Sequence, residues 1–375
     1  MKIPIFKLEF EEEFIEEWVR LSTGILSGNN LLSEGKYVKK FENQFAKLTG
    51  SKHGLAITSG TTALETALKA IGVKDKEVII PSNTFFATAL AVENAGGKLV
   101  LVDCELESYS IAPTLLENKI NKKTGAVILV HIGGIISPHI KKIIDICKKN
   151  KVPLVEDAAH AHGSKMDRYT AGSIGDIGCF SMFPTKVMTT GEGGMITTNN
   201  SSLYKKMRSI KNFGRPEDGS ILCVNPDGNN YKINEFTGLM GYLELKRIKR
   251  RIRRRIKLVN RYVKNLKGTS YKVIKQKTGT CAYYKLILMI SRVSRFMSNE
   301  NERLKKACAK EGISLTGQVY EVPVHKQPKY KNLFAKESFP TTEYISKMHI
   351  CPPLYPELTE AEVDYICAVL KSNEN

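Results

Sequence analysis

Between Gly54 and Asn199 the chain alternates short apolar runs with helix-length amphipathic segments. The runs read "GLAIT", "EVIIP", "KLVLVD", "GAVILVH", "VPLVED", "IGCFS" and "GGMITT", and patterns such as "TALETALKAIG" and "HIKKIIDICKKN" separate them. Short, nearly continuous apolar runs suit strands buried on both faces, and the helical spacers carry the chain back for the next parallel strand. The pattern predicts an α/β fold in which a mainly parallel seven-stranded sheet is flanked by helices. From about Asn230 to Lys267 the periodicity is helical. A second region then opens with "YKVIKQK" and "AYYKLILMIS", continues with a helical "NENERLKKACAKEGI" and closes with "TEAEVDYICAVLKS", where Thr359 and Glu362 have the spacing of a capping box. The expected division is a large α/β domain over residues 1–245 and a smaller α+β domain over 246–375.

The densest basic run, "KRIKRRIRRRIKLVNRYVK", carries apolar residues at Leu245, Ile248, Ile252, Ile256, Val259 and Val263. Steps of three and four make one apolar helix face and predict that the arginines lie on the solvated side. With a formal net charge of +19, a nucleic-acid-binding face is the rival reading of this run. No aromatic residues interleave with the arginines before Tyr262 and no nucleic-acid-binding signature accompanies them, so a solvated face is preferred and nucleic acid is not an expected partner. The positive field also suits an anionic substrate. The chain has 375 residues, enough for a full core. The eight cysteines are scattered singly without a Cys-x-x-Cys pair, and no apolar run approaches the roughly 20 residues of a membrane helix. A cytoplasmic protein with reduced thiols is expected.

Ligands of such sheets gather at the carboxyl ends of the strands. The first end, "ITSGTTALETAL", places Ser59, Gly60, Thr61 and Thr62 where N–H groups, hydroxyls and a helix dipole converge, which reads as a phosphate site or as a capped helix start. The second, "IIPSNTFFATALAV", offers Phe85 and Phe86 for stacking on a planar ligand or for core packing. The third, "VPLVEDAAHAHG", places Glu156, Asp157, His160 and His162 after a buried strand, where a carboxylate needs a cation or donors. A metal is the rival there and is discounted, because no further ligand cluster has the spacing. The fourth, "FSMFPTKVMTTGEGGM", supplies Ser181 and Lys186. A phosphate cradle, an aromatic plate, a carboxylate and a lysine together are what pyridoxal 5'-phosphate (PLP) requires.

The motifs "GKYVKKFENQFAKLTGSKHGLAITSGTTAL", "FSMFPTKVMTTGEGGMITTN", "VPVHKQP" and "CPPLYPELTEAEV" resemble those of the DegT/DnrJ/EryC1/StrS sugar aminotransferases of PLP fold type I. The resemblance implies that Lys186 forms the Schiff base, that Asp157 pairs with the pyridine nitrogen and that His160 lies beside the ring's phenolic oxygen. By the same resemblance Phe85 stacks on the ring, and Gly60, Thr61, Thr62 and Ser181 bind the phosphate. Asn230 in "GNNYKINEFTG" matches an asparagine extended into the neighbouring subunit's site, which implies a homodimer with shared active sites. Two positions depart from the family's usual pattern, Lys232 for an arginine and "HIGG" for His-x-Tyr-Gly. Lys232, Tyr320 and His325 are candidate substrate contacts; His325 reads equally as a satisfied histidine between domains. The implied activity is transamination of a nucleotide-linked keto-sugar with L-glutamate as donor, through pyridoxamine 5'-phosphate. "TTGEGG" and His160 favour C4 of a 4-keto-6-deoxy sugar over C3, and a 3-keto nucleotide-sugar or a keto-inositol is the alternative substrate. Relatives that dehydrate carry His in place of Lys186. A PLP-bound regulator that holds nucleic acid is the alternative of another class.

Overall fold

The computed structural model describes residues 2–28, 31–291, 300–316 and 319–374. All seven apolar runs form strands. In chain order they include β1 (His53–Ile57), β2 (Glu77–Pro81), β3 (Lys98–Val102), β4 (Thr124–Val130) and β5 (Leu154–Asp157). A short hairpin of β6 (Lys165–Met166) and β7 (Tyr169–Thr170) follows, then β8 (Ile177–Ser181) and β9 (Gly194–Thr198). The large sheet has the order β1-β9-β8-β5-β4-β2-β3, with β9 antiparallel to both neighbours and every other pairing parallel.

Alternate residues of each strand feed two separate cores, as the two-residue period of a strand requires. Leu55, Ile57, Val78, Ile80, Ile128 and Val130 enter one core. Ala56, Ile79, Val127 and Leu129 enter the other, with Phe41, Phe45 and Phe180. Burial on both faces is why the strands read as continuous apolar runs.

The C-terminal region builds a second, antiparallel sheet from β10 (Tyr271–Ile274), β11 (Ile287–Ile290) and β12 (His349–Ile350). The helix Glu300–Lys310 packs in this region; Asn299, which the periodicity assigned to it, lies outside the described residues. The helix Glu360–Ser372 begins with the expected capping box between Thr359 and Glu362.

One helix, Glu235–Asn265, runs unbroken across residues 245 and 246. Its apolar stripe is buried as expected at Ile248, Ile252 and Val259. The arginines correct the amphipathic reading: Arg247, Arg251 and Arg255 are only 6%, 4% and 1% exposed. Arg255 Nη1 donates to the carbonyls of Tyr283 (3.1 Å) and Leu354 (2.8 Å), and burial pushes its pKa down to about 10. Arg247 Nε donates to Glu244 at 2.6 Å and its Nη1 pairs with Glu11. The stripe joins segments of the fold, and three of the eleven basic residues in the sequence's densest charge run are thereby withdrawn from any partner. Among the described residues no helix is long and apolar enough to cross a membrane.

Candidate active site

After β1 the chain turns at Ser59 into the helix Gly60–Ile71. Ser59 Oγ accepts the Thr62 N–H at 3.1 Å, and the Thr62 hydroxyl accepts the Ser59 N–H at 3.0 Å. The reciprocal cap uses up Thr62 and leaves the N–H groups of Gly60 and Thr61, which helix geometry provides with no partner, beside a cavity that both residues line. The two readings of "SGTT" therefore coexist: a capped start whose remaining donors can hold an anion.

Ser181 closes this cradle from the end of β8. A Cβ at residue 60 would lie 2.8 Å from Ser181 Cβ, so the hydroxyl-bearing side chain reaches the helix start because residue 60 is glycine. Gly194 is as constrained, since its Cβ would fall 2.3 Å from the Ser59 carbonyl oxygen.

Asp157 ends β5 and is buried. Its Oδ2 accepts from Thr88 Oγ1 at 2.9 Å and its Oδ1 from the Ala159 N–H at 3.2 Å. Burial raises its pKa above the ordinary value, against the pull of those two bonds and of the charge on Lys186. A carboxylate in that condition gains most from a cationic ligand. Glu156 is fully buried and accepts N–H groups from Gly172 (2.8 Å), Ile174 (2.7 Å) and Gly175 (2.9 Å), with His131 Nε2 at 2.9 Å. It fixes the loops around the strand end.

Lys186 sits in the turn past β8, its N–H bonded to the Phe183 carbonyl at 2.9 Å. Its Nζ lies 4.5 Å from the centroid of the Tyr284 ring. Burial lowers its pKa, opposed by Tyr284 and Asp157, and among the described residues no carboxylate pairs with it. Burial, with a Lys186 contribution, also holds His160 well below the usual histidine range. His160 Nδ1 accepts the Gly133 N–H at 3.3 Å, which leaves Nε2 to carry the proton. The His160 ring packs on Tyr284 (4.2 Å) and Tyr320 (5.8 Å). Phe85, 48% exposed, faces Tyr320 at 6.2 Å and 29°.

These groups surround a cavity of about 350 Å³ at the carboxyl ends of the parallel strands. It brings together Gly60, Thr61, Phe85, Asp157, His160, Ser181, Lys186 and Tyr320. Four expected residues do not line it. Thr62 is turned into the cap. Asn230 is exposed on the loop bridged to Asn212, and the Lys232 ammonium lies 3.8 Å from the centroid of the Phe213 ring. His325 is buried, with Nδ1 2.6 Å from Ser82 Oγ and its ring against Phe339 at 4.6 Å.

Thr88, Tyr284 and Lys285 were not singled out in the sequence. Thr88 lies inside a helix. Tyr284 follows Tyr283, a non-glycine residue in left-handed backbone (φ 45), within a run that reads as strand. Burial would raise the Tyr284 pKa, but the charges of Lys186 and Lys285 and a 2.9 Å bond to Thr185 Oγ1 leave it below the ordinary value.

The cavity fits PLP. Two free N–H groups and a hydroxyl suit the phosphate, a buried carboxylate suits a protonated ring nitrogen, and an unpaired amine suits the aldehyde.

A family model described as the DegT/DnrJ/EryC1/StrS aminotransferase family matches residues 12–371. The chain is 30% identical over 376 residues to the GDP-perosamine synthase of Escherichia coli O157:H7, covering 97% of this chain and 96% of that protein. It is also 30% identical over 372 residues to a pleiotropic regulatory protein of Geobacillus stearothermophilus, covering 98% and 97%. Its fold resembles a putative sugar aminotransferase of Streptococcus pneumoniae in its PLP-form, with a TM-score of 0.91, 26% identity and coverage of 100% and 98%. Sequence, fold and the chemistry of the cavity agree: the chain belongs to the DegT/DnrJ/EryC1/StrS family and is a PLP-dependent aminotransferase of fold type I.

Proposed function

We propose that the protein aminates a nucleotide-linked 4-keto-6-deoxy sugar with L-glutamate as amino donor, as a cytoplasmic homodimer. The observation that carries this reading is the position of Lys186, an unpaired amine between the Asp157 carboxylate and the Gly60–Thr61–Ser181 cradle. A family lysine at this place supports transamination over dehydration, and the similarity to a GDP-perosamine synthase supports a nucleotide-linked sugar.

PLP, when bound, supplies an electron sink for the charge left on the donor's α carbon. The cradle would hold its phosphate, Asp157 its ring nitrogen and Phe85 one ring face, while His160 Nε2–H would donate to the phenolic oxygen. Lys186 Nζ would hold the aldehyde carbon and, as a free amine, would take up the proton of the donor's α carbon. Burial eases this by favouring the neutral amine. Asn230, exposed and outside its own cavity, reaches the partner subunit's site in this reading.

The pyridoxamine form is to be incubated with nucleotide-linked 3-keto and 4-keto sugars while the absorbance of the lysine-bound cofactor is followed. Restoration by a 4-keto sugar is expected. Restoration by 3-keto sugars alone overturns the choice of C4, and restoration by neither overturns the nucleotide-sugar substrate.

A further inference from the structure

Past Tyr284 and Lys285 the cavity adjoins a side chamber of about 150 Å³ that shares Thr185, Tyr284 and Lys285 with it. Phe6, Pro352 and Leu354 give the chamber an apolar wall, and Lys285 and Thr316 give it a polar one. Lys285 Nζ lies 3.3 Å from Thr316 Oγ1, and among the described residues no carboxylate pairs with it. The residues outside that description contribute no Asp or Glu side chain. Beyond its bond to Thr316 the ammonium keeps N–H donors that an anion entering the chamber can use.

The carboxylates around the main cavity do not serve. Asp157 is committed to Thr88 and the Ala159 N–H, and Glu192 is exposed and unpaired with Lys285. Lys186 and Lys285 flank the same ring, with their Nζ atoms 4.5 and 5.9 Å from the Tyr284 centroid. An amino acid whose amine meets Lys186 can therefore extend a second carboxylate past Tyr284 toward Lys285, where the two cavities adjoin. Methylene groups along that arm suit the apolar wall.

We propose that this chamber is the subsite for the distal carboxylate of the amino donor, with Lys285 as counter-cation and Thr316, whose hydroxyl donates to the Cys351 carbonyl at 3.5 Å, holding the ammonium in place. The donor is accordingly a dicarboxylic amino acid. The inference rests on the aminotransferase reading of the adjoining cavity and adds the residues that choose the donor.

The test measures binding of glutarate, an unreactive five-carbon diacid, to the PLP-loaded protein by calorimetry, alongside conversion of the cofactor by L-glutamate and by L-alanine. Lys285→Met is expected to weaken glutarate binding and raise the glutamate concentration for half-maximal conversion by roughly tenfold to a hundredfold, as for a lost hydrogen-bonded charge. The L-alanine response, which brings no second carboxylate, should change far less than the L-glutamate response. Lys285→Arg should bind glutarate within a few-fold of wild type. Equal glutarate binding by wild type and Lys285→Met overturns the proposal, as does a loss confined to the keto-sugar. If Lys285→Met fails to hold the cofactor, Thr316→Val takes its place, and unaltered glutarate binding there overturns the proposal equally. Failure of the wild type to respond to L-glutamate while it still binds glutarate counts against the donor named under the proposed function, not against the subsite.

Discussion

Thr88→Val isolates how Asp157 is kept ionised. The substitution preserves shape at a position only 1% exposed and deletes the hydroxyl that donates to Asp157 Oδ2 at 2.9 Å. A hydrogen bond to a charged acceptor contributes about 1.5–3 kcal/mol. One pKa unit corresponds to about 1.4 kcal/mol, so losing the bond moves the Asp157 carboxyl upward by roughly one to two units. The sign follows from which form is held: Thr88 stabilises the carboxylate, and burial already raises this carboxyl. In the cofactor-free protein the raised pKa contributes stability below the carboxyl's unfolded pKa, and this is lost as pH rises through the folded value. A cationic ring bound beside the carboxylate opposes that loss. PLP should therefore be released on acidification, at a higher pH in the variant. The assay titrates PLP into cofactor-free protein at a series of pH values and follows the absorbance of the lysine-bound form. We expect an acid limb displaced upward by roughly one to two units and affinity lowered most on that limb, with Thr88→Ser close to wild type. An unmoved limb and unchanged affinity would refute the reasoning.

Glu156→Gln keeps an oxygen for Ile174 and Gly175 but turns an NH₂ toward the Gly172 N–H, which should cost about 1–3 kcal/mol in urea unfolding; a loss below about 0.5 kcal/mol would contradict the acceptor assignment. Gly194→Ala sets its Cβ 2.3 Å from the Ser59 oxygen and 3.0 Å from the Gly60 nitrogen, both backbone, so the helix start must shift. Roughly tenfold or greater loss of PLP affinity is expected, and a crystal structure of the variant with the cradle unmoved would argue against it. Because burial lowers the Lys186 pKa, acylation of the cofactor-free protein should modify Lys186 at lower pH than exposed lysines; peptide mapping that shows the reverse order would sink this.

The large sheet was legible because its strands are buried on both faces, so each wrote a continuous apolar run. The site was legible where chemistry follows directly after such a run, as at Gly60, Asp157, Ser181 and Lys186. Thr88 was not, since its hydroxyl matters only once β2's following helix is laid beside β5. Tyr284 and Lys285 were hidden in a strand-like run from a distant part of the chain. The arginine stripe misled for a related reason. A helix's own periodicity marks its apolar face, but the carbonyls of Tyr283 and Leu354 that receive Arg255 belong to other segments.

The helix Glu235–Asn265 is fixed to other segments at two places along its length. Its first turn is locked to the N-terminal region, where Glu235 accepts N–H groups from Gly35 (2.9 Å), Tyr37 (2.8 Å) and Val38 (3.0 Å). Further along, Arg254 Nη2 donates to the Leu358 carbonyl at 2.6 Å and Arg261 pairs with Asp364. Each residue of a helix advances the facing direction by about 100°. A single insertion or deletion between the two locks would rotate Arg255 off Tyr283 and Leu354 while leaving composition and helix propensity almost untouched. The segment behaves as a keyed shaft: tolerant of many substitutions on its outer side, and intolerant of any change in its count.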